Sequence, residues 1–436
     1  MAIRPLAMLV FALAVVESQT GRYVPPADPR AYDFPFTDHI PTTKELIENA
    51  GFRYDLHKVV TEDGHILSLH RLGRPGERRG IPVLFVNGFC FQSEGWMGLG
   101  RNTSIAFILS DLGYDVWLGD QRGTGRSIGH VKYSLDDYRT YQYSFHEMGI
   151  YDLPAFIDHI LEATGHERLL YVGLSLGSGV FAVMEAERPA YRDKVIAAVF
   201  LGPAIHLTKW IKTSFFYYNI LRVVDAMIEA QIQRKLWVLF ANRPLISTAV
   251  HSCSFVPLNI YLSSCLTIVG LTLGPYTGNM NATSAGVQLA SVITSTSVYV
   301  AKHLFQVLKK GEFTKYDYGS EEKNMMAYGT PTAPNYDLSQ VTTPLLVMYG
   351  SVDNMASFNA VERSIADMVS SSVDSQLLPD FNHVDYLFGR QAPKRVYVPV
   401  VDFFDRMTGQ GDFESNLIIP SKSKFKKVGK KGRSSA

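Results

Sequence analysis

Residues 169–180 read LLYVGLSLGSGV, an apolar run that leads into Gly-x-Ser-x-Gly centred on Ser175 and then into a second apolar stretch. The first run is typical of a buried strand and the second of a helix, so the spacing predicts a sharp strand–turn–helix connection with Ser175 at its tip. Glycines at positions 173 and 177 suit such a turn, because they let the strand and the helix approach closely. We therefore interpret Ser175 as a candidate nucleophile.

Strand-like and helix-like segments alternate on both sides of this motif. Short, nearly continuous apolar runs are typical of strands that are buried on both faces of a parallel sheet. These runs occupy residues 82–86, 114–118, 169–173, 195–201 and 344–349, with helical periodicity at 102–112 and 152–161. An Asp-Gly pair at residues 63–64 predicts a hairpin ahead of them. The alternation predicts an α/β fold with a mostly parallel central sheet and helices on both faces.

A serine hydroxyl needs a neighbouring base before it can act as a nucleophile. The chain offers His383, and between it and the motif lies Asp353, in the turn after the last apolar run. The order Ser175, Asp353, His383 is that of the α/β-hydrolase fold. We predict that His383 takes the proton of Ser175 and that Asp353 orients the imidazole and stabilises its charged form.

Two other carboxylates lie close to the histidine in sequence. Asp380 and Asp385 flank His383 on either side and are alternative acids. We favour Asp353, because a loop that follows a parallel strand aims its side chains at the carboxyl edge of the sheet, where the serine also lies.

Acyl transfer also requires donors for the oxyanion that develops on the substrate. In this fold one donor is the backbone N–H of the residue after the nucleophile, here Leu176, and the second comes from the loop after the third strand. That loop reads Asn-Gly-Phe-Cys at residues 87–90, so we assign the second donor to the N–H of Phe89.

The alternating pattern breaks between residues 205 and 315. Helical stretches replace the strand-like runs, and no Asp, Glu, Lys or Arg occurs from 244 to 301. We interpret 205–315 as a largely helical cap inserted between two parts of the core, 19–204 and 316–410. Residues 255–274 are apolar enough to raise the alternative of a transmembrane helix, although Pro257, Asn259 and several hydroxyl side chains argue against it.

The first eighteen residues are predicted to be a secretory signal peptide. Arg4 precedes a short apolar run that is too short to span a membrane, and small residues follow at a plausible cleavage site. Two sequons, at Asn102 and Asn281, agree with passage through the secretory pathway. We expect a secreted or lysosomal glycoprotein; the alternative for this segment is a buried N-terminal helix.

Composition excludes several classes of protein. A net charge of +1 gives no field that selects nucleic acid, and three cysteines, Cys90, Cys253 and Cys265, allow one disulfide at most. The tail at 411–436 is basic and expected to be disordered.

No metal or cofactor motif stands out. Residues 123–129 resemble a phosphate loop but have neither the dinucleotide nor the Walker spacing. His57, His65 and His70, near the hairpin, are expected at the surface rather than on a metal. We predict no metal and no cofactor.

Many short segments occur together in one order, and they carry a resemblance to a known family. They lie at residues 87–89, 106–111, 114–119, 147–148, 151–155, 171–177, 316–321, 323–324 and 383–385. The chain resembles the acid lipase family, which contains the gastric and lysosomal acid lipases, from about residue 38 to residue 407. The resemblance implies hydrolysis of triacylglycerols or cholesteryl esters at a lipid–water interface, a cap with a lid, and no cofactor. It carries the same roles onto Ser175, Asp353 and His383, and the oxyanion amides onto Phe89 and Leu176.

The chain departs from the pattern of this family in four places. The family usually has His-Gly-Leu where this chain has Asn-Gly-Phe at 87–89, and Gly-His-Ser-Gln-Gly where Leu174 and Leu176 flank the serine. Residues 294–298 replace the family's His-x-Pro-Ala-Gly-Thr-Ser segment, and Cys253 and Cys265 do not keep the spacing of its cap disulfide. Because the oxyanion donors are backbone groups, these changes need not abolish catalysis.

These observations predict a lipase that hydrolyses carboxylic esters of neutral lipids through an acyl-enzyme. Two alternatives stay open: an esterase for short or unusual esters, and a lipid-binding protein that has kept the fold but lost useful turnover. The ordered Ser, Asp and His argue against the second alternative, and the changed residues around the serine argue for it.

Overall fold

The computed structural model describes residues 41–73, 80–207, 215–240, 273–280 and 285–409. The strands, numbered in chain order, are β1 Arg53–Val60, β2 His65–Gly73, β3 Pro82–Val86, β4 Asp115–Asp120, β5 Gly129–His130, β6 Leu169–Leu174, β7 Val195–Leu201, β8 Val238–Leu239, β9 Thr296–Ser297, β10 Leu345–Gly350 and β11 Val373–Leu378. The apolar runs predicted as strands are all strands, with bounds that match or shift by one or two residues.

The helices, also in chain order, are α1 Thr43–Asn49, α2 Ile105–Asp111, α3 Phe145–Glu147, α4 Leu153–Thr164, α5 Leu176–Glu187, α6 Phe215–Gln233, α7 Ala285–Val292, α8 Val298–Lys310, α9 Glu321–Tyr328, α10 Phe358–Asp367, α11 Asp385–Phe388 and α12 Val398–Thr408. Helix α4 continues a π-helical turn at Met148–Asp152 and ends at Gly165, whose φ of +72° suits a glycine cap.

One large sheet organises the molecule, with the strand order β1-β2-β4-β3-β6-β7-β10-β11 and β5 beside β2. Strands β1 and β2 form the predicted hairpin, in which Val60 faces Ile66, and β2 is antiparallel to β4. From β4 through β11 every pairing is parallel. The order reverses between β3 and β6, and ligands bind at such a switch point in α/β sheets, beyond the carboxyl ends of the strands.

The two faces of the sheet carry separate apolar cores. Leu84 and Val86 of β3 belong to the core under α4 and α5, whereas Val83 and Phe85 belong to the core under α2 and α12. Because alternate residues of a strand point to opposite faces, this division explains why the parallel strands are apolar throughout. The prediction of helices on both faces is confirmed.

Two of the three histidines near the hairpin are buried, so their predicted surface position was wrong. His70 is fully enclosed: its Nδ1 lies 2.9 Å from the Tyr54 hydroxyl and its Nε2 lies 3.0 Å from Oδ2 of Asp120. His65 is buried as well, with Nε2 3.1 Å from the carbonyl oxygen of Thr140. Their hydrogen-bond partners come from distant parts of the sequence, which a local pattern does not reveal.

The described part of the predicted cap is mainly helical and includes one small sheet. Helices α6, α7 and α8 lie in it, and β8 pairs with β9 in an antiparallel two-stranded sheet. Helix α8 contributes Val300 and Leu304 to the core beneath the main sheet.

Several predictions fall on residues outside the described ranges: the signal peptide at 1–18, most of the alternative transmembrane segment at 255–274, Cys253 and Cys265, and the tail at 411–436. Within the ranges that the structure describes, no helix is long and apolar enough to cross a membrane.

Candidate active site

Ser175 occupies a strained turn between β6 and α5. Its φ of +53° and ψ of −115° lie in a region that non-glycine residues adopt at a cost of about 1–3 kcal/mol. Backbone hydrogen bonds hold the turn: the N–H of Ser175 donates to Leu201 at 2.9 Å, and the carbonyl of Ser175 accepts from Ala204 at 3.0 Å. The predicted strand–turn–helix connection is therefore present, and β7 holds it in place.

Both glycines of the motif are required by close packing. A β-carbon on Gly177 would lie 2.4 Å from the carbonyl oxygen of Val86 at the end of β3, and one on Gly173 would lie 2.8 Å from the backbone of Gly177. Neither contact is possible for a larger residue without displacing the backbone. The Gly-x-Ser-x-Gly spacing thus packs α5 tightly against β3 and β6.

The leucines that replace the family's polar residues are core side chains. Leu174 and Leu176 are both 1% exposed; Leu174 packs in the core on one face of the sheet and Leu176 in the core on the other. The two leucines therefore add apolar burial on either side of the nucleophile turn.

The structure brings Asp353 and His383 together. Nδ1 of His383 lies 2.9 Å from Oδ2 and 3.1 Å from Oδ1 of Asp353. Oδ1 of the carboxylate also accepts the backbone N–H groups of Met355 and Ala356, each at 2.8 Å. A carboxylate held in this way fixes the tautomer and the orientation of the imidazole and stabilises its protonated form. The pair can therefore support proton transfer at the remaining ring nitrogen, Nε2.

Neither alternative acid contacts the imidazole in this way. Asp380 is exposed. Asp385 is buried, and its Oδ2 accepts the N–H of Asn382 from its own loop at 2.9 Å and the hydroxyl of Thr277 from a distant segment at 3.4 Å. The geometry favours Asp353 over both.

Serine and acid follow two parallel strands that end at the same edge of the sheet. Ser175 follows β6 and Asp353 follows β10, and β7 lies between these strands. Gly202, immediately after β7, is so close to Asp353 that a β-carbon there would lie 3.0 Å from Oδ2. Ser175, Asp353 and His383 are each about 5% exposed, so the three side chains lie in a nearly closed part of the molecule.

The loop at residues 87–90 lies at the same edge, beside Ser175. Cys90 adopts a φ of +57°, and Gly88 faces the side chain of Ser175. Within the described part of the chain, the amide groups of Phe89 and Leu176 donate no hydrogen bond to another group.

Asn87, which stands where the family usually has histidine, is 2% exposed. Among the described residues its side-chain oxygen and nitrogen have no hydrogen-bond partner. This substitution lies at the first position of the 87–90 loop.

A segment that sequence reasoning treated only as a departure, residues 294–297, supports this loop. The N–H of Thr294 donates to the carbonyl of Cys90 at 2.9 Å, and the hydroxyl of Ser295 donates to Gly123 at 2.8 Å. The Thr294 hydroxyl accepts the N–H of Gly125 at 2.7 Å. These contacts join residues 294–295 to the 87–90 loop and to the glycine-rich turn after β4. The positions are too distant in sequence for a local pattern to indicate the contacts.

Sequence reasoning also missed Tyr386, which contacts the candidate acid. Its hydroxyl donates to Oδ2 of Asp353 at 3.0 Å. Its place three residues after His383 was visible, but a tyrosine in that position is more often an ordinary core residue.

Of the two predicted glycosylation sites, Asn102 is exposed in the turn that precedes α2. Asn281 lies outside the described residues.

Comparison with known proteins agrees with this architecture. A family described as the alpha/beta hydrolase fold matches residues 81–240, and one described as a partial alpha/beta-hydrolase lipase region matches residues 43–99. A crystal structure of a Sulfolobus solfataricus protein matches with a TM-score of 0.55 at 15% identity, over 81% of this chain and 94% of that one. At this identity the likeness shows the fold alone.

Relatives in sequence extend over most of the chain. Lipase 1 of Drosophila melanogaster is 32% identical, over 85% of this chain and 81% of the relative. Lipase member M of Homo sapiens is 31% identical over 82% and 84%, and gastric triacylglycerol lipase of Bos taurus is 29% identical over 82% and 89%. With this fold and these relatives, the chain belongs to the acid lipase family of α/β-hydrolases and is a carboxylic ester hydrolase.

Proposed function

We propose that this enzyme hydrolyses the carboxylic esters of neutral lipids, triacylglycerols or cholesteryl esters, with Ser175 as nucleophile, His383 as general base and acid, and Asp353 as the carboxylate that orients it. The observation that carries the proposal is the hydrogen-bonded pair of Asp353 and His383 at the sheet edge where Ser175 occupies its strained turn. The substrate class is supported by the gastric triacylglycerol lipase among the relatives and by the uncharged stretch at 244–301.

The reaction proceeds in two halves. In the first, Nε2 of His383 takes the hydroxyl proton as Oγ of Ser175 attacks the ester carbonyl, and the oxyanion of the tetrahedral intermediate accepts hydrogen bonds from the amides of Phe89 and Leu176. The intermediate collapses to an acyl-enzyme as His383 passes the proton to the leaving alcohol. In the second half, His383 deprotonates a water that attacks the acyl group, and Ser175 regains its proton as the fatty acid leaves.

The first test is covalent labelling with a fluorophosphonate, followed by hydrolysis of a long-chain triacylglycerol emulsion. Wild type is expected to label and to release fatty acid, and Ser175→Ala to lose both. Ser178→Ala is the matched control, because the hydroxyl of Ser178 is committed to the carbonyl of Gly173 at 2.9 Å. Folded wild type that fails to label from pH 4 to pH 8 would make a lipid-binding protein the better description.

A chain-length series separates lipase from esterase. If the substrate is an emulsified lipid, the rate rises steeply once the ester exceeds its solubility limit, and long acyl chains are preferred over acetyl or butyryl esters. A rate that saturates on soluble short esters and ignores the interface would instead support the esterase alternative.

The cellular route forms part of the same proposal. We infer a signal peptide at 1–18, secretion or delivery to the lysosome, and glycans at Asn102 and Asn281. Exposure of Asn102 supports the first glycan. The test is expression in a eukaryotic secretory cell: glycosidase treatment should reduce the apparent mass of the wild type in two steps, and Asn102→Gln should remove one of them.

A further inference from the structure

Tyr386 connects the candidate acid to the end of a core strand. The side chain belongs to α11, three residues after His383, and is completely buried. Its hydroxyl accepts the backbone N–H of Gly350 at 2.7 Å and donates to Oδ2 of Asp353 at 3.0 Å. A single hydroxyl thus links the last residue of β10 to the carboxylate.

The carboxylate of Asp353 divides its hydrogen bonds unequally between its two oxygens. Oδ1 is held by the amides of Met355 and Ala356 and has a longer contact to the imidazole. Oδ2 receives the shorter contact from His383, at 2.9 Å, and the hydroxyl of Tyr386. Tyr386 and His383 therefore share one oxygen of the acid.

The packing around this contact leaves the hydroxyl little freedom. A β-carbon on Gly202 would lie 2.8 Å from the ring of Tyr386 and 3.0 Å from Oδ2 of Asp353. Burial raises the pKa of Tyr386 well above its usual range, and the charge of Asp353 raises it further, so the hydroxyl stays protonated and remains a donor.

We propose that Tyr386 is a positioning residue for catalysis. Its hydroxyl fixes the plane of the Asp353 carboxylate and weakens the electrostatic attraction between that carboxylate and the protonated imidazole of His383. The inference rests on the function proposed above. It assigns to Tyr386 no contact with the substrate.

Two consequences distinguish this role from ordinary packing. Without the hydroxyl the carboxylate can turn, so the imidazole spends less time aligned for proton transfer and kcat falls. Among the described residues, Oδ2 then keeps His383 as its only side-chain donor, so the carboxylate stabilises the protonated imidazole more strongly than in the wild type. The acidic limb of the kcat/KM profile therefore moves to higher pH, which a purely structural tyrosine would not cause.

The test compares Tyr386→Phe with Tyr114→Phe on a soluble p-nitrophenyl ester. Tyr114 is a matched control, because its buried hydroxyl also donates to a carboxylate, Oδ1 of Asp405 at 2.8 Å, but in a different part of the fold. Rates are expressed per site that reacts with a fluorophosphonate, so that misfolded protein is not counted. We expect Tyr386→Phe to lose roughly tenfold in kcat with little change in KM and to show the shifted acidic limb, and Tyr114→Phe to show neither effect.

The inference is overturned if Tyr386→Phe and Tyr114→Phe have the same kcat and the same pH profile while wild type is active. If wild type neither labels nor hydrolyses the ester, it is the proposed function that fails. Should Tyr386→Phe not fold, 3-fluorotyrosine in place of Tyr386 keeps the volume nearly constant and strengthens the donor. It should move the acidic limb to lower pH, and an unmoved limb would count against the role.

Discussion

Gly88 lies so close to Ser175 that a β-carbon on Gly88 would be 2.9 Å from Cβ and 3.4 Å from Oγ of the serine. The contact is between the loop that carries the Phe89 amide and the side chain proposed as nucleophile. It results from the adjacency of β3 and β6 at the switch point of the sheet, where Val86 pairs with Gly173. The glycine therefore sets the gap between the nucleophile and the candidate oxyanion donor.

Gly88→Ala should impair catalysis much more than it impairs folding. The added methyl group would push on Ser175 or displace the Phe89 amide, and loss of one oxyanion donor costs about 10²–10³ in kcat. We expect a loss of at least about tenfold in kcat on a soluble ester. The comparison is Gly129→Ala, whose β-carbon would meet nothing closer than 3.4 Å. Equal kcat values for the two variants would show that the loop does not set the geometry of the site.

The strands of this enzyme are predicted well from the sequence, because the patterns that indicate them are local. The strands at 82–86 and 195–201 have the same bounds in the structure as in the sequence prediction. Apolar runs of this length are typical of strands that are buried on both faces of a sheet, and they show no helical periodicity that would favour a different prediction. The prediction of Ser175, Asp353 and His383 as site residues likewise depends only on their order in the chain and on where the strands end.

The parts that sequence reasoning misses depend on contacts between distant residues. Nothing near Tyr386 in sequence announces its hydrogen bond to Asp353, which lies 33 residues earlier. The burial of His70 depends on Asp120, which lies 50 residues later. The hydrogen bond from Thr294 to Cys90 in the 87–90 loop joins residues about 200 positions apart in the chain. A pattern of single residues carries no information on such pairs.

Glu185 is a buried carboxylate whose removal should destabilise the fold without altering the site. It accepts the N–H groups of Thr342 and Thr343, at 2.8 and 3.2 Å, and the hydroxyl of Thr343, and so joins α5 to the entry of β10. Burial raises its pKa. We expect Glu185→Ala to lower the free energy of unfolding by about 2–4 kcal/mol, because it leaves buried hydrogen-bond donors without an acceptor. Glu185→Gln should lower it by less than half as much. Urea melts at pH 7 measure the free energy of unfolding of both variants. If the Gln variant is as unstable as the Ala variant, the hydrogen bonds that Glu185 accepts are not the source of the stabilisation.

Arg122 is fully buried at the turn after β4 and forms ion pairs with the buried Asp152 and the partly exposed Asp63. Its guanidinium donates to both oxygens of Asp63, at 2.6 and 2.9 Å, and through Nε to Oδ1 of Asp152 at 2.7 Å. Arg122→Met leaves the buried carboxyl of Asp152 without its cationic partner, so we expect a loss of about 3–5 kcal/mol in unfolding free energy. Adding Asp152→Asn should recover part of that loss, because a neutral amide then replaces the buried carboxyl that has lost its cationic partner. A double-mutant cycle measures the coupling energy between Arg122 and Asp152. Strictly additive effects of the two substitutions would contradict the prediction.

Asp385 should make the stability of the enzyme depend on pH in a defined direction. Burial raises the pKa of this carboxyl to about 6, and the nearby charge of Asp353 adds to the shift. Because the folded pKa is above the unfolded one, the folded state binds more protons between about pH 4 and pH 6, and the free energy of unfolding falls as pH rises through this window.

At 1.36 kcal/mol per pKa unit, a shift of this size corresponds to about 2–3 kcal/mol between pH 4 and pH 7. Asp385→Asn removes this contribution, while its amide oxygen can still accept the N–H of Asn382. The unfolding free energy of the variant relative to wild type should therefore rise by about that amount from pH 4 to pH 7. Urea melts across the range measure the difference, with Asp380→Asn as the exposed control for which it should stay constant. A constant difference for Asp385→Asn as well would mean that this carboxyl is ionised in the folded protein at pH 4, and that its hydrogen bonds with Asn382 and Thr277 are made by a carboxylate throughout.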